Sequence, residues 1–368
     1  MKVLNVLYEL KFSGAEIMYV DAAPFFQKKG CELSVVSTAP DLGEYASYFE
    51  RSGYRVFHKP HPSSKKYISR IKYYKDFIRF LKKENYDVVH IHSNSIMWEM
   101  ALCARLAGKR SVYTFHSVFA SHFYSYPYHL WKRWSAKKIF RCKFQTISNS
   151  VYDNELNRYH NKTKKIYNWY GNNRFYPALA DEKKVKRDEL GIPEDALVLI
   201  SVGGCNSVKR HSEIIKALPH IIQNYPNVLY LHLGKGETEA EEKKMVNDLG
   251  LSEYVRFCNN QADIRKYMIA SDIYLMPSKH EGISITTIEA MACSIPAILY
   301  NVPGLRDFNS TGENSLLIPE DHKILAEKVI YLHQNPAISL KLSENARELV
   351  KTTYHLEKNA AEIYQLYL

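Results

Sequence analysis

Short, nearly continuous apolar runs alternate with segments of helical spacing along most of the 368-residue chain. Residues 3–8, 31–36, 87–92 and 112–116 form one series of runs, and residues 197–202, 229–233, 255–258 and 273–276 form a second. Strands that are apolar throughout, rather than alternating, suit a parallel sheet covered on both faces. Between the first two runs, the turn Phe12-Ser13-Gly14-Ala15-Glu16 opens a helix predicted to reach about residue 29, where Gly30 ends it. Strand, turn, helix and strand in that order make a βαβ unit. The fold class that follows is α/β, with two Rossmann-like, doubly wound domains. The turn-rich segment at 167–177 separates them.

The polar positions change the picture in the first half. Residues 65–83 read as a helix with Ile68, Ile71, Tyr74, Ile78 and Leu81 on one stripe and Lys66, Arg70, Lys72, Lys75, Arg79, Lys82 and Lys83 elsewhere. Such a helix is either a solvated outer face or a membrane-surface contact. Residues 117–144 mix aromatic side chains with Lys132, Arg133, Lys137, Lys138, Arg141 and Lys143. Three readings stay open for that stretch. It can bind single-stranded nucleic acid, although no recognisable nucleic-acid module surrounds it. It can dip into lipid headgroups through Trp131 and Trp134, flanking Lys132 and Arg133. Part of it can also be core. Net charge is divided unevenly: residues 1–175 hold 29 Lys+Arg against 13 Asp+Glu, and the rest hold 21 against 26, giving +16 and −5 for a total of +11. An anionic surface or polymer is the natural partner of the basic half. No apolar run is long enough to cross a membrane and the first residues lack the pattern of a leader, so the expected location is cytoplasmic, peripheral at the inner face of the membrane if the basic half contacts it. Six cysteines, none in a C-x-x-C pair, are expected as buried free thiols without metal.

Candidate chemistry centres on residues 276–297. A strand ends at Met276, the chain turns through Pro277, Ser278 and Gly282, and a helix starts near Thr286. Glu281 lies in the turn and Glu289 in the helix, with seven residues between them. Helix-start amides seat a phosphate, and the carboxylates bind hydroxyls, so a sugar joined to a phosphate fits the set. The competing reading makes Thr286-x-x-Glu289 a capping box. Lys209 follows Gly203-Gly204-Cys205-Asn206-Ser207-Val208 at the mouth of another strand, where its ammonium can neutralise a diphosphate. Two strands of the first half end in histidine, at His92 and His116.

The run Ser278, Glu281, Gly282, Glu289, Ala290, Met291, Ala292, Pro296 and Ala297 resembles the donor-site signature of glycosyltransferase family 4, retaining enzymes of the GT-B fold. Further segments are similar to that family: Ser13-Gly14-Ala15-Glu16 for its G-G-A-E turn, 87–92 and 114–117 for its histidine motifs, 147–151, and the hinge at 167–177 with Trp169 where glycine is usual. The resemblance implies an acceptor-binding first domain over 1–170, a nucleotide-sugar-binding second domain over 171–352, and a C-terminal helix, 353–368, returning to the first domain. It assigns His116, Lys209 and Glu281 to catalysis. It places Gly14, Gly204, Asn206, Lys209, Cys258, Glu281, Gly282, Ile283, Ser284, Ile285 and Glu289 around the donor, with Glu281 on the sugar hydroxyls, Glu289 on the ribose and 301–304 as the loop facing the diphosphate. Trp131, Lys132, Arg133 and Trp134 fall on the acceptor or membrane side. The chain departs from the pattern at Gly204, where the family carries an arginine, and Asn206 or Arg210 is the nearest substitute.

The function expected is retaining, metal-independent transfer of a hexosyl or N-acetylhexosaminyl group, from a UDP-sugar to a hydroxyl of a glycan or lipid-linked glycan in cell-surface polysaccharide synthesis. The nucleotide sugar is a co-substrate; no cofactor and no nucleic-acid partner are expected. The alternatives are a transferase with a small soluble acceptor and a non-catalytic nucleotide- or glycan-binding protein of the same fold.

Overall fold

The computed structural model describes residues 1–62, 67–119 and 123–368; the side chain of Tyr67 is also outside the description. Lys65 and Lys66 of the basic helix, and residues 120–122 of the aromatic stretch, therefore lie outside the described residues. The chain divides into two compact units, Met1–Trp169 with Leu356–Leu368, and Tyr170–His355.

The first unit holds a seven-stranded sheet in the order β3-β2-β1-β4-β5-β6-β7. Its strands are β1 (Lys2–Leu7), β2 (Glu32–Ser37), β3 (Arg55–His58), β4 (Val88–Ile91), β5 (Arg110–Phe115), β6 (Lys143–Thr146) and β7 (Lys164–Lys165). The second holds six strands in the order β10-β9-β8-β11-β12-β13. These are β8 (Leu197–Val202), β9 (Val228–Leu233), β10 (Val255–Asn259), β11 (Ile273–Met276), β12 (Ala297–Tyr300) and β13 (Leu316–Ile318). Every pairing is parallel. Strands β8 and β9 are buried at every position, as sheets covered by helices on both faces require.

The helix expected from Gly14 to residue 29 is two helices, Gly14–Asp21 and Ala23–Lys28. Pro24 lacks the amide hydrogen to continue the first, and it sits in the opening turn of the second, where none is needed. The helix Tyr67–Lys83 keeps one end of its expected stripe, since Leu81 is buried, but Ile68 and Ile71 are exposed at 84 % and 42 %, and Phe77, outside the stripe, is buried instead. The closing helix Leu356–Tyr367 belongs to the first unit, where the Tyr367 hydroxyl lies 2.7 Å from His90 Nδ1. Trp169 ends that unit fully buried, its indole donating to the Met18 carbonyl at 2.8 Å. The six cysteines are free and buried.

Candidate functional site

In the second sheet the winding reverses between β8 and β11, with β9 and β10 to one side and β12 and β13 to the other. Loops leaving the carboxyl ends of two such strands diverge and open a crevice, the usual ligand position in an open α/β sheet. Both candidate loops start there, 203–209 after β8 and 277–284 after β11.

Local chemistry folds the first loop. Asn206 Oδ1 accepts from the amides of Val208 and Lys209, each at 3.0 Å, an Asx turn that bends the chain back. Asn206 is thus a shaper of the loop. The turn delivers the Lys209 ammonium to Glu281 Oε1 at 2.7 Å, and the Lys279 amide joins the two loops by donating to the Val208 carbonyl at 2.8 Å. The buried Ser278 hydroxyl donates to the same Glu281 oxygen, also at 2.7 Å. From the far side, the Glu281 amide donates to the Pro303 carbonyl at 3.0 Å. Gly304 there has φ +82°, and a Cβ on it would stand 2.4 Å from the Glu281 carbonyl oxygen, so the approach of 301–304 requires glycine. Lys209 and Glu281 keep 21 % and 13 % of their side-chain surface exposed, enough for a ligand to reach them.

The helix after this loop is Ile285–Ala292. Its cap is Ser284, whose hydroxyl accepts from the Thr287 amide at 3.2 Å. Thr286 instead donates to the Val202 carbonyl at 3.0 Å, so the capping-box reading of Thr286 and Glu289 fails. Gly282, Ile283 and Ser284 lead into that helix, and Ile285 is its first residue. Glu289 lies within it at 2 % exposure, so the two carboxylates are unequal: one is reachable and one is closed in.

No cation stands at Gly204. Arg210 does not replace it, because its guanidinium pairs with Glu320 and lies over the Tyr300 ring. Sequence reasoning missed His211, whose Nε2 is 3.2 Å from the Gly203 carbonyl and whose Nδ1 is 3.1 Å from Ser201 Oγ. Burial holds this imidazole down to about 3, so it braces the loop as a neutral donor. Its place two residues after Lys209 was the only signal. Behind the loop, Cys205, His232 and Glu242 bring their ligand atoms within 4.8 Å of one another. His232 Nε2 is 3.0 Å from Glu242 Oε2, and the other Glu242 oxygen accepts from Thr238 at 2.8 Å, so hydrogen bonds close the trio. Cys258 ends up near the carboxyl end of β10, its thiol turned back toward the Arg256 carbonyl. A hollow lined by Lys183, Asp272, Cys293 and Leu340 opens at the amino ends of β8 and β11, away from both loops.

In the first unit the winding reverses between β1 and β4. Asn5 on β1, His92 after β4 and His116 after β5 form a chain of contacts there: His92 Nε2 is 3.1 Å from Asn5 Oδ1, and His92 Nδ1 is 2.9 Å from His116 Nε2. His116 is half-buried, and desolvation holds it down to about 4, a neutral ring at ordinary pH. Gly14 begins its helix beside Ser13, whose hydroxyl donates to the Glu16 carboxylate. Glu16 is 5 % exposed, and burial raises its carboxyl to about 7.

The basic-aromatic stretch divides. Arg133, expected on the acceptor or membrane side, is instead core: it makes a two-point ion pair with Glu155, both bonds at 2.7 Å, and its guanidinium lies 3.7 Å from the Tyr159 ring centre. A buried carboxylate at Glu155 draws it in. Lys132 is largely covered as well, 3.6 Å from Glu99 and over the Tyr128 ring. Trp131 and Trp134 remain about half exposed, at 48 % and 56 %, on the helix Tyr126–Lys138, and Phe123 and Tyr124 just before it are almost fully exposed. Among the described residues no helix is long and apolar enough to cross a membrane.

Comparison with known proteins gives the same division. Residues 12–171 match the model of Glycosyltransferase Family 4, and residues 182–349 match that of Glycosyl transferases group 1. The chain is 25 % identical over 388 aligned positions to the alpha-monoglucosyldiacylglycerol synthase of Acholeplasma laidlawii, covering 100 % of this chain and 96 % of that protein. It is also 25 % identical to the UDP-Gal:alpha-D-GlcNAc-diphosphoundecaprenol alpha-1,3-galactosyltransferase of Escherichia coli, over 82 % of this chain and 81 % of that one. Among solved structures it resembles Anabaena HepE in complex with UDP and glucose, with TM-score 0.82 at 20 % identity, covering 99 % of this chain and 98 % of that one. These are GT-B glycosyltransferase folds, and both sheets with their flanking helices match them. With a family model accounting for each half, this chain belongs to the family 4 glycosyltransferases.

Proposed function

We propose that this glycosyltransferase moves a sugar, with retention, from a UDP-sugar to a hydroxyl of a lipid-linked glycan or glycolipid acceptor. The observation that carries the reading is the Lys209–Glu281–Ser278 cluster at the β8/β11 reversal. Breaking the anomeric C–O bond leaves negative charge on the departing diphosphate. Lys209, the loop amides near Ile283 and Ser284 and the start of the helix Ile285–Ala292 stabilise that charge, each fixed before the donor arrives. Glu281 takes the donor sugar hydroxyls and Glu289 the ribose. The chain has no Asp-x-Asp pair, so leaving-group stabilisation is assigned to these groups without a bridging metal.

The names of two relatives support the acceptor, one a glucosyldiacylglycerol synthase and the other a transferase acting on a diphosphoundecaprenol-linked sugar. Exposed Phe123, Tyr124, Trp131 and Trp134 on a strongly basic half suit a peripheral contact with anionic lipid at the cytoplasmic face. Incubation with a panel of nucleotide sugars and lipid-linked acceptors, following UDP release, tests the reading. UDP appearing only when donor and acceptor are both supplied supports it; tight donor binding without release under any acceptor favours a non-catalytic binding protein, the reading that glycine at 204 motivates.

A further inference from the structure

We propose that Asn5 and His92 are positioning residues that lock His116 into one tautomer, with its proton on Nε2 and a bare lone pair on Nδ1 to accept a substrate hydroxyl. The inference rests on the assignment of His116 to catalysis.

The argument follows the protons. Asn5 is 1 % exposed, on β1 in register with His90 of β4. Its Oδ1 is a carbonyl oxygen with lone pairs only, so His92 Nε2, 3.1 Å away, carries a hydrogen. Burial and the neighbouring His90 and His116 rings hold His92 well below the ordinary imidazole range, so the ring is neutral and has a single N–H. His92 Nδ1 is then an acceptor. The atom it meets at 2.9 Å is His116 Nε2, which must supply the hydrogen. His116 is itself neutral, so its one proton is spent on His92 and Nδ1 is left unprotonated.

The adjoining network obeys the same polarity. Thr114 Oγ1 donates to Gln145 Oε1, so it can only accept from His90 Nε2, 2.7 Å away. His90 Nδ1 then accepts from the Tyr367 hydroxyl at 2.7 Å. Two parallel chains of buried hydrogen bonds thus run through adjacent strands, each fixing the tautomer of every imidazole in it. A ring free to exchange tautomers would present a donor for part of the time; this one presents an acceptor only.

The test uses the full chain, labelled with 15N in its histidines. Long-range 1H–15N correlation spectra at neutral pH distinguish the two tautomers, and a His116→Gln variant identifies the signal. The expected result is the Nε2–H form for both His92 and His116 in the free protein, and a mixture of tautomers at His116 in Asn5→Leu, where the acceptor for His92 is gone and the branched outline of the side chain is kept. Asn5→Leu should also lower kcat roughly tenfold, the worth of one hydrogen bond to a substrate hydroxyl, with a smaller change in donor KM. An Nδ1–H form at His116 in the wild-type protein overturns the proposal without any variant, because it means the chain runs with the opposite polarity. An unchanged tautomer in a folded Asn5→Leu overturns it too. Normal turnover by His116→Ala sinks the catalytic role of His116 instead, and leaves the tautomer measurement standing on its own.

Discussion

The Lys209 ammonium and the Glu281 carboxylate are 2.7 Å apart, on loops that leave two adjacent strands in opposite winding directions. Each is held from behind, Lys209 by the Asn206 turn and Glu281 by Ser278 and Pro303. The pair keeps the cation in place before any diphosphate is present. Lys209→Met should therefore cost about 10²–10³ in kcat, the range for one preorganised donor to a developing anion. Because both side chains retain some solvent access, the melting temperature should fall by only a few degrees. Steady-state kinetics beside a thermal melt checks both; a large loss of stability with proportionate loss of activity would mean that the pair is structural.

Gly204 is the sharpest departure from the family pattern, and it is open to reversal. A Cβ there meets the Lys235 carbonyl at 3.4 Å and Asn206 Nδ2 at 3.7 Å, ordinary contacts, so a side chain fits. Gly204→Arg should place a second cation beside Lys209 and lower the donor KM about tenfold, the worth of a charge-assisted hydrogen bond. No change in donor affinity by calorimetry would show that the diphosphate does not pass this position.

Arg133 and its neighbour Lys132 should separate cleanly. Arg133 is buried with Glu155 in a two-point pair, so Arg133→Leu strands a carboxylate and should cost roughly 3–5 kcal/mol. Lys132 lies 3.6 Å from Glu99 without that geometry, and Lys132→Ala should cost less than about 1 kcal/mol. Urea melts of the two variants make the comparison.

These contrasts show where the sequence was legible. Strands such as β8 and β11 could be read directly, because continuous apolar runs have one economical use, and the loops after them followed from the α/β pattern. β3 (R-V-F-H) and β7 (K-K) escaped because edge strands are short and need little apolar surface. In the helix Tyr67–Lys83 the stripe held at Leu81 but failed at Ile68 and Ile71, because Phe77 and Phe80 fill the core in their place. Arg133 was misplaced because its partner, Glu155, is 22 residues away, and a buried ion pair has no local pattern. The same limit hid the contact of Asn5 with His92, 87 residues on.

Trp131 and Trp134 carry the membrane reading. Each is about half exposed, so replacing both by alanine should leave the fold stable and weaken flotation with anionic vesicles roughly tenfold or more. Binding to those vesicles should also fall as salt rises, since the basic half supplies the attraction. Equal binding by the double variant would remove these aromatics from the contact.

Glu16 predicts a pH dependence with a definite sign. Its carboxyl is raised to about 7 by burial, against 4.5 for the ordinary group, and the Ser13 hydroxyl and the nearby Lys11 only partly oppose the shift. A folded-state value above the unfolded one means that the native protein holds a proton which the unfolded chain has already released. Below about 4.5 both states are protonated, and the carboxyl carries no ionic penalty. Between 4.5 and 7 the penalty grows with pH, and above 7 the buried anion costs the fold its full amount, roughly 3 kcal/mol at 1.36 per unit of difference. Glu16→Gln keeps the shape and cannot ionise. Its melting temperature should match that of the wild type near pH 4.5 and exceed it at pH 8, with the gap opening as pH rises. A gap that instead closes toward high pH would show that the Glu16 anion is stabilised where it sits, and that Ser13, in the place of a glycine, is there to hold a charge rather than a proton.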